Sequence, residues 1–311
     1  MGLGRTYGRL TPSPIGEALG HQMQTHDGHQ LSVTTYGPVD APLTVFLAHC
    51  WTLNQQDWHY QVRDLQREFG HGIRIITWDH RGHGESDPVP RAECTIENLA
   101  RDWSDLIDQL APTGPLVLAG HSIGGMTLMV LADSRPELFD RVVGVVFVAT
   151  SSGRLDTVTL GLPEAGPLLR AQIPRMLALR SRTLSRRARR RAPVIERLVM
   201  RRFLFGRPLR LADVGLSVEG LISCSGDTVV GFYEDCMKHD RVRALKTLDD
   251  IPTHVLVGTR DVLTPPSHAR RIADHVSGAV LTVAPDAGHM LPLERDQLVS
   301  GVLSRLIRPH L

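Results

Sequence analysis

The chain has 311 residues, 42% of them hydrophobic and 22% charged, with a formal net charge of +2. This is the composition of a globular protein with a sizeable core, and no apolar run approaches the ~18 residues a membrane-spanning helix needs. The four cysteines, Cys50, Cys94, Cys224 and Cys236, are too sparse for a disulfide scaffold and lack Cys-x-x-Cys spacing, so free thiols are expected.

Residues 1–30 are rich in Gly, Pro and polar side chains and show no apolar signal-peptide core, which makes the cytoplasm the expected location. Strands are then predicted over 30–36, 42–48, 73–78, 115–119 and 142–149, alternating with helices over 55–69, 96–110 and 123–132. In the 96–110 segment Ile96, Leu99, Ala100, Trp103, Leu106, Ile107 and Leu110 recur at helical spacing, so these residues are expected in the core. The rhythm breaks over 151–248 and resumes with a strand at 253–258, a helix at 267–275, a strand at 279–284 and a closing helix at 293–307. Such alternation predicts an α/β fold with a mostly parallel sheet flanked by helices. The organisation expected is a core over 1–150, a helical cap over 151–248, and the rest of the core over 249–311.

The most informative segment is Gly120-His121-Ser122-Ile123-Gly124-Gly125, which joins a buried strand to a helix. Glycines two before and two after a serine suit a strand-to-helix turn too tight for side chains at those positions. Ser122 is thus the candidate nucleophile, and it needs a base and an orienting acid because a free hydroxyl attacks poorly at neutral pH. Asp261 lies just past the carboxyl end of the 253–258 strand, where α/β sheets place their chemistry. His289 lies in the loop after the next strand, so Ser122, Asp261 and His289 fit one constellation. Asp286 competes for the acid role but sits only three residues before His289, where shaping the turn is the plainer role; Asp235 is a reserve candidate.

With Val257-Gly258-Thr259-Arg260-Asp261, Asp286-Ala287-Gly288-His289 and the turn Asp79-His80-Arg81-Gly82-His83-Gly84-Glu85-Ser86, the elbow resembles the α/β-hydrolase superfamily, in particular its serine hydrolases of the esterase, lipase and carbon-carbon hydrolase type. The resemblance implies the α/β-hydrolase fold with eight strands, Ser122 as nucleophile, His289 as base and Asp261 as orienting carboxylate, without cofactor or metal. It also implies oxyanion-hole N–H groups from Ile123 and Trp51. Cys50 stands where the family usually has glycine, and it either tolerates the local backbone or shifts the loop. The resemblance covers acyl transfer, carbon-carbon hydrolysis, cofactor-free perhydrolase and lyase chemistry too, and a slow-turnover ligand receptor is an alternative from another class.

Cap residues Leu168, Leu169, Met176, Leu177, Phe232 and Tyr233 are candidate pocket lining, with Cys50, His121, Val262 and Met290 from the core. So apolar a set points to a moderately hydrophobic ester, thioester or lactone as the small-molecule acyl substrate. Between 170 and 210 there are 14 arginines against one acid, Glu196, so this stretch carries about +13 and the remainder about −11. The patch suits an anionic membrane surface, an anionic substrate or simply a solvated helix face; nucleic acid is the weakest option, since no recognition fold accompanies the charge.

Overall fold

Strands Leu19–Gln24 (β1), Gln30–Tyr36 (β2), Leu43–Ala48 (β3), Ile73–Trp78 (β4), Leu116–His121 (β5), Val142–Val148 (β6), Thr253–Gly258 (β7) and Val280–Ala284 (β8) form one sheet in the computed structural model of the chain, which describes residues 18–158 and 166–311. The strand order is β1-β2-β4-β3-β5-β6-β7-β8. β2 runs antiparallel to both its neighbours, and from β4 to β8 every pairing is parallel. The helices, in chain order, are His59–Phe69 (α1), Ile96–Leu110 (α2), Ile123–Ser134 (α3), Gly166–Thr183 (α4), Arg186–Arg191 (α5), Val194–Phe203 (α6), Leu211–Ser223 (α7), Gly226–Cys236 (α8), Pro266–Ala273 (α9), Leu291–Glu294 (α10) and Asp296–Ile307 (α11).

Both faces of the sheet are covered, which is why its central strands read as unbroken apolar runs. Successive side chains point to opposite faces. Phe46, Ile76, Leu118 and Phe147 therefore pack with α2 and α3 around Trp103 and Met129. Their neighbours Val45, Ile75, Val117 and Val146 pack instead with α1 and α11 around Leu65 and Leu303. Helices α4 to α8 lie in sequence between β6 and β7 and bring their own apolar cluster. Leu177, Met200, Leu221 and Val229 pack in one cluster with Cys50, Leu53, Met290 and Leu293. No helix among the described residues is long and apolar enough to cross a membrane.

Two elements differ from expectation. β1 falls in a stretch with no strand prediction: it is a sheet edge, and most of its residues are exposed, so its sequence needs no apolar alternation. The closing helix is divided, because Arg295, with φ −133° and ψ 48°, leaves helical geometry between α10 and α11.

Candidate active site

Ser122 follows β5 and opens α3 with φ 54° and ψ −114°, a left-handed conformation that costs a non-glycine residue about 1–3 kcal/mol. The surroundings enforce it. Its N–H donates to Val148 O at 2.9 Å, and its carbonyl accepts from Thr150 Oγ1 at 2.6 Å and from the amides of Gly125 and Met126. A Cβ on Gly120 would lie 2.4 Å from the Gly124 backbone, and one on Gly124 would lie 2.4 Å from Ala48 O. Glycine at both positions lets the turn close against β3.

His289 Nε2 lies 2.9 Å from Ser122 Oγ, and its Nδ1 lies 2.9 Å from Asp261 Oδ2. A carboxylate only accepts, so Nδ1 carries the ring proton and Nε2 turns its lone pair to the hydroxyl. Asp261 also accepts from the amides of Leu263 and Thr264 and from Thr264 Oγ1. Burial by itself raises a carboxyl, but here His289 and these donors hold Asp261 below its usual range. Asp286 is exposed, has φ 56° and pairs with Arg260, so it shapes the turn. Asp235 accepts from the Ile96 amide at the start of α2.

The loop after β3 is held from two directions. Cys50 N–H donates to Asp57 Oδ2 at 3.0 Å, and Cys50 O sits 2.7 Å from His49 Nδ1, whose Nε2 accepts the His80 amide at 2.8 Å. Cys50 O and Trp51 N–H share one planar peptide and point opposite ways, so fixing the carbonyl aims the amide. Among the described residues neither the Trp51 nor the Ile123 amide has a hydrogen-bond acceptor. The left-handed position in this loop is Thr52, with φ 62°, and Cys50 has no positive φ, so a side chain in place of glycine does not strain the backbone. Burial pushes the Cys50 thiol well up, which keeps it neutral beside Ser122.

His121, one residue before the serine, places Nδ1 2.6 Å from Asp57 Oδ2 and Nε2 2.9 Å from the His289 carbonyl. Burial lowers its pKa, but the Asp57 charge and hydrogen bond outweigh this and raise it. Cys50 Sγ and nitrogens of His121 and His289 lie within 4.8 Å of one another, but those nitrogens are committed to Asp57, Asp261, Ser122 and the His289 carbonyl. The His289 loop is further fixed by the chain after α6. Leu204 O accepts the His289 amide at 2.7 Å, and the buried Glu294 carboxylate accepts from the amides of Gly206, Gly288 and Met290.

The alpha/beta hydrolase family model matches residues 45–301. The chain belongs to the alpha/beta hydrolase family. It is 28% identical over 228 residues to the sn-1-specific diacylglycerol lipase ABHD11 of Mus musculus, covering 73% of this chain and 69% of that one. It is 24% identical over 283 residues to 3-oxoadipate enol-lactonase 1 of Acinetobacter baylyi, covering 90% and 94%. In fold it is similar to an esterase from Thermogutta terrifontis, with a TM-score of 0.72, 24% identity and 94% and 99% of the two chains covered.

In this alpha/beta hydrolase a cavity of about 90 Å³ reaches Ser122 and His289. Cys50, Leu177 and Tyr233, expected from the sequence as pocket lining, line it with Trp51, the expected oxyanion donor, and with Pro174, Val199, Met200, Phe203, Leu221 and Leu263. Other pocket expectations need correction. Leu168 is 70% exposed and Met176 38%, because that side of α4 faces solvent. Phe232 is fully buried against His83 in the core. Met290 is buried under the insertion, and His121 serves as a buried hydrogen-bonding link, so neither lines the cavity. Val262 is half-buried, and its neighbour Leu263 reaches the cavity instead. The Leu169 side chain lies outside the described residues. Asp57, Thr150 and Glu294 went unnoticed in the sequence, since each reaches a partner distant in the chain, His121, Ser122 and Gly206 in turn; Thr264 went unnoticed too, although it bonds Asp261 only three residues away.

Proposed function

We infer that the chain is a serine hydrolase that cleaves a moderately hydrophobic carboxylic ester, thioester or lactone through an acyl-enzyme on Ser122. The observation that carries this reading is the chain of contacts from Asp261 through His289 to the Ser122 hydroxyl, both links 2.9 Å. In this reading His289 Nε2 takes the Ser122 proton as Oγ adds to the acyl carbon, and the Trp51 and Ile123 amides receive the negative oxygen. His289 returns the proton to the departing alkoxide or thiolate. A water, deprotonated by the same nitrogen, then attacks the acyl carbon and frees the carboxylic acid and Ser122.

The substrate class is supported by the cavity walls, which among the described residues are mostly aliphatic or aromatic and include no Asp, Glu, Lys or Arg. The small cavity favours a short acyl group over a long chain. The full-length likeness to an enol-lactonase fits the same chemistry, because opening a lactone is attack on an acyl carbon.

A fluorophosphonate probe followed by peptide mass mapping tests the assignment, with p-nitrophenyl esters of increasing acyl length reporting turnover. Label is expected on Ser122, with little on a folded His289→Ala variant, and Ser122→Ala should lower kcat by about 10³-fold or more. Folded protein that hydrolyses the esters while Ser122 stays unlabelled contradicts the reading.

A further inference from the structure

The insertion presents an unusual outer surface. Eleven large apolar side chains are exposed among the described residues, and seven of them lie between residues 168 and 211. Three of these, Val194, Leu198 and Leu211, line a groove of about 730 Å³ between α6 and α7 whose walls also include Arg197, Arg201 and Arg202. Those three arginines, and Arg186, Arg187 and Arg191 of α5, are exposed and have no ion pair among the described residues. The opposite side of α6 supplies Val199, Met200 and Phe203 to the cavity at Ser122. One helix thus has an inner apolar face over the candidate site and an outer face that is both apolar and cationic.

We propose that the outer face of α6 and the start of α7 dock on an anionic lipid bilayer. Val194, Leu198 and Leu211 enter the interfacial region while the arginines meet lipid phosphates and carboxylates. Two features favour this occupant. Exposed aliphatic side chains between guanidinium groups match the layered chemistry of a membrane interface, whereas a nucleic acid backbone offers the aliphatics nothing. A second copy of the chain would set the same +13 stretch of residues 170–210 against itself, which like-charge repulsion opposes.

The test is co-sedimentation of full-length Ser122→Ala protein with vesicles of phosphatidylcholine, alone or mixed with phosphatidylserine, so that binding is scored independently of catalysis and of the hydrolase assignment. Binding to the anionic vesicles should exceed binding to the neutral ones by at least about tenfold and weaken with added salt. Adding Arg197→Glu, Arg201→Glu and Arg202→Glu should lower partitioning by about 100-fold or more, as each arginine near a charged surface accounts for about fivefold. Val194→Ser with Leu198→Ser should also weaken it, by about tenfold. Thermal melts check that each variant is folded. Equal binding to both vesicle types, or unchanged binding by the folded arginine variant, overturns the proposal. So does a lipid-free dimer, seen by light scattering, that Leu198→Asp dissociates, because the face then belongs to a second copy.

Discussion

Asp57 is where the loop after β3 and the serine turn meet. One of its oxygens takes both the Cys50 amide and the His121 ring, and His121 reaches on to the carbonyl of His289. Asp57→Asn keeps an acceptor for the Cys50 amide but removes the charge that favours a cationic His121. The titratable groups nearest His121 besides Asp57 are the Cys50 thiol, within 4.8 Å, His289 at 5.3 Å between rings and, through longer-range fields, His49 and Asp261. Losing the Asp57 charge weakens the hydrogen bond from His121 Nε2 to the His289 carbonyl, so the loop that carries His289 should be held less firmly. A kcat reduced about 10- to 100-fold, with KM for a neutral ester little changed, is the accompanying expectation. An unchanged kcat in a folded variant would reduce Asp57 to a packing role. Nothing near Asp57 in the sequence signals this, because its partners are seven, 64 and, through His121, 232 residues away along the chain.

The joint from β5 to α3 shows why some elements are legible and others are not. Gly120 is demanded by the Gly124 backbone four residues on, a requirement written locally, whereas Gly124 is demanded by Ala48, 76 residues back at the end of β3. Gly124→Ala would put a methyl 2.4 Å from Ala48 O, forcing β3 and α3 apart at the serine. Overpacking of this kind should cost about 3 kcal/mol or more in urea unfolding and sharply reduce fluorophosphonate labelling. Gly301→Ala, in α11 with nothing within 4 Å, should instead stabilise by about 0.5–1 kcal/mol with labelling intact. If the two variants behave alike, steric closure at the turn is not what selects glycine there. The same distinction separates the buried strands from the cavity walls. Strands covered on both faces announce themselves as apolar runs. In α4, by contrast, apolar residues occur almost all round the helix, so periodicity does not tell that Pro174 and Leu177 face inward while Leu168 and Met176 face out.

Across the whole molecule, buried histidines tie stability to pH. His80, His83 and His239 are enclosed, and burial holds them near 3, 4 and 3 against an ordinary 6.5, while His49 is also held well down. The unfolded chain therefore binds protons that the fold does not, beginning near pH 6.5 and continuing down to about 3 to 4, so stability must fall with pH across that window. At pH 5 each such histidine costs about 2 kcal/mol, and several together approach the ~5–15 kcal/mol that holds a typical domain. Other groups act the other way. Burial raises Asp79 and Asp102 to about 6 and also raises Asp213, Asp235 and Glu294, so the fold takes up protons there before the unfolded chain does, and His121, raised by Asp57, favours the fold on acidification too. At pH 5 Asp79 and Asp102 return about 1.4 kcal/mol each, less than the about 2 kcal/mol lost at each of the deeply buried histidines, so the urea midpoint should be highest near neutrality and decline from pH 6.5 to 4.5. His83→Asn, which retains a donor for the Arg81 carbonyl now held by His83 Nδ1, should flatten that decline by up to one proton's worth of slope. A midpoint that stays level to pH 4.5 would mean that the buried rings gain protons without unfolding.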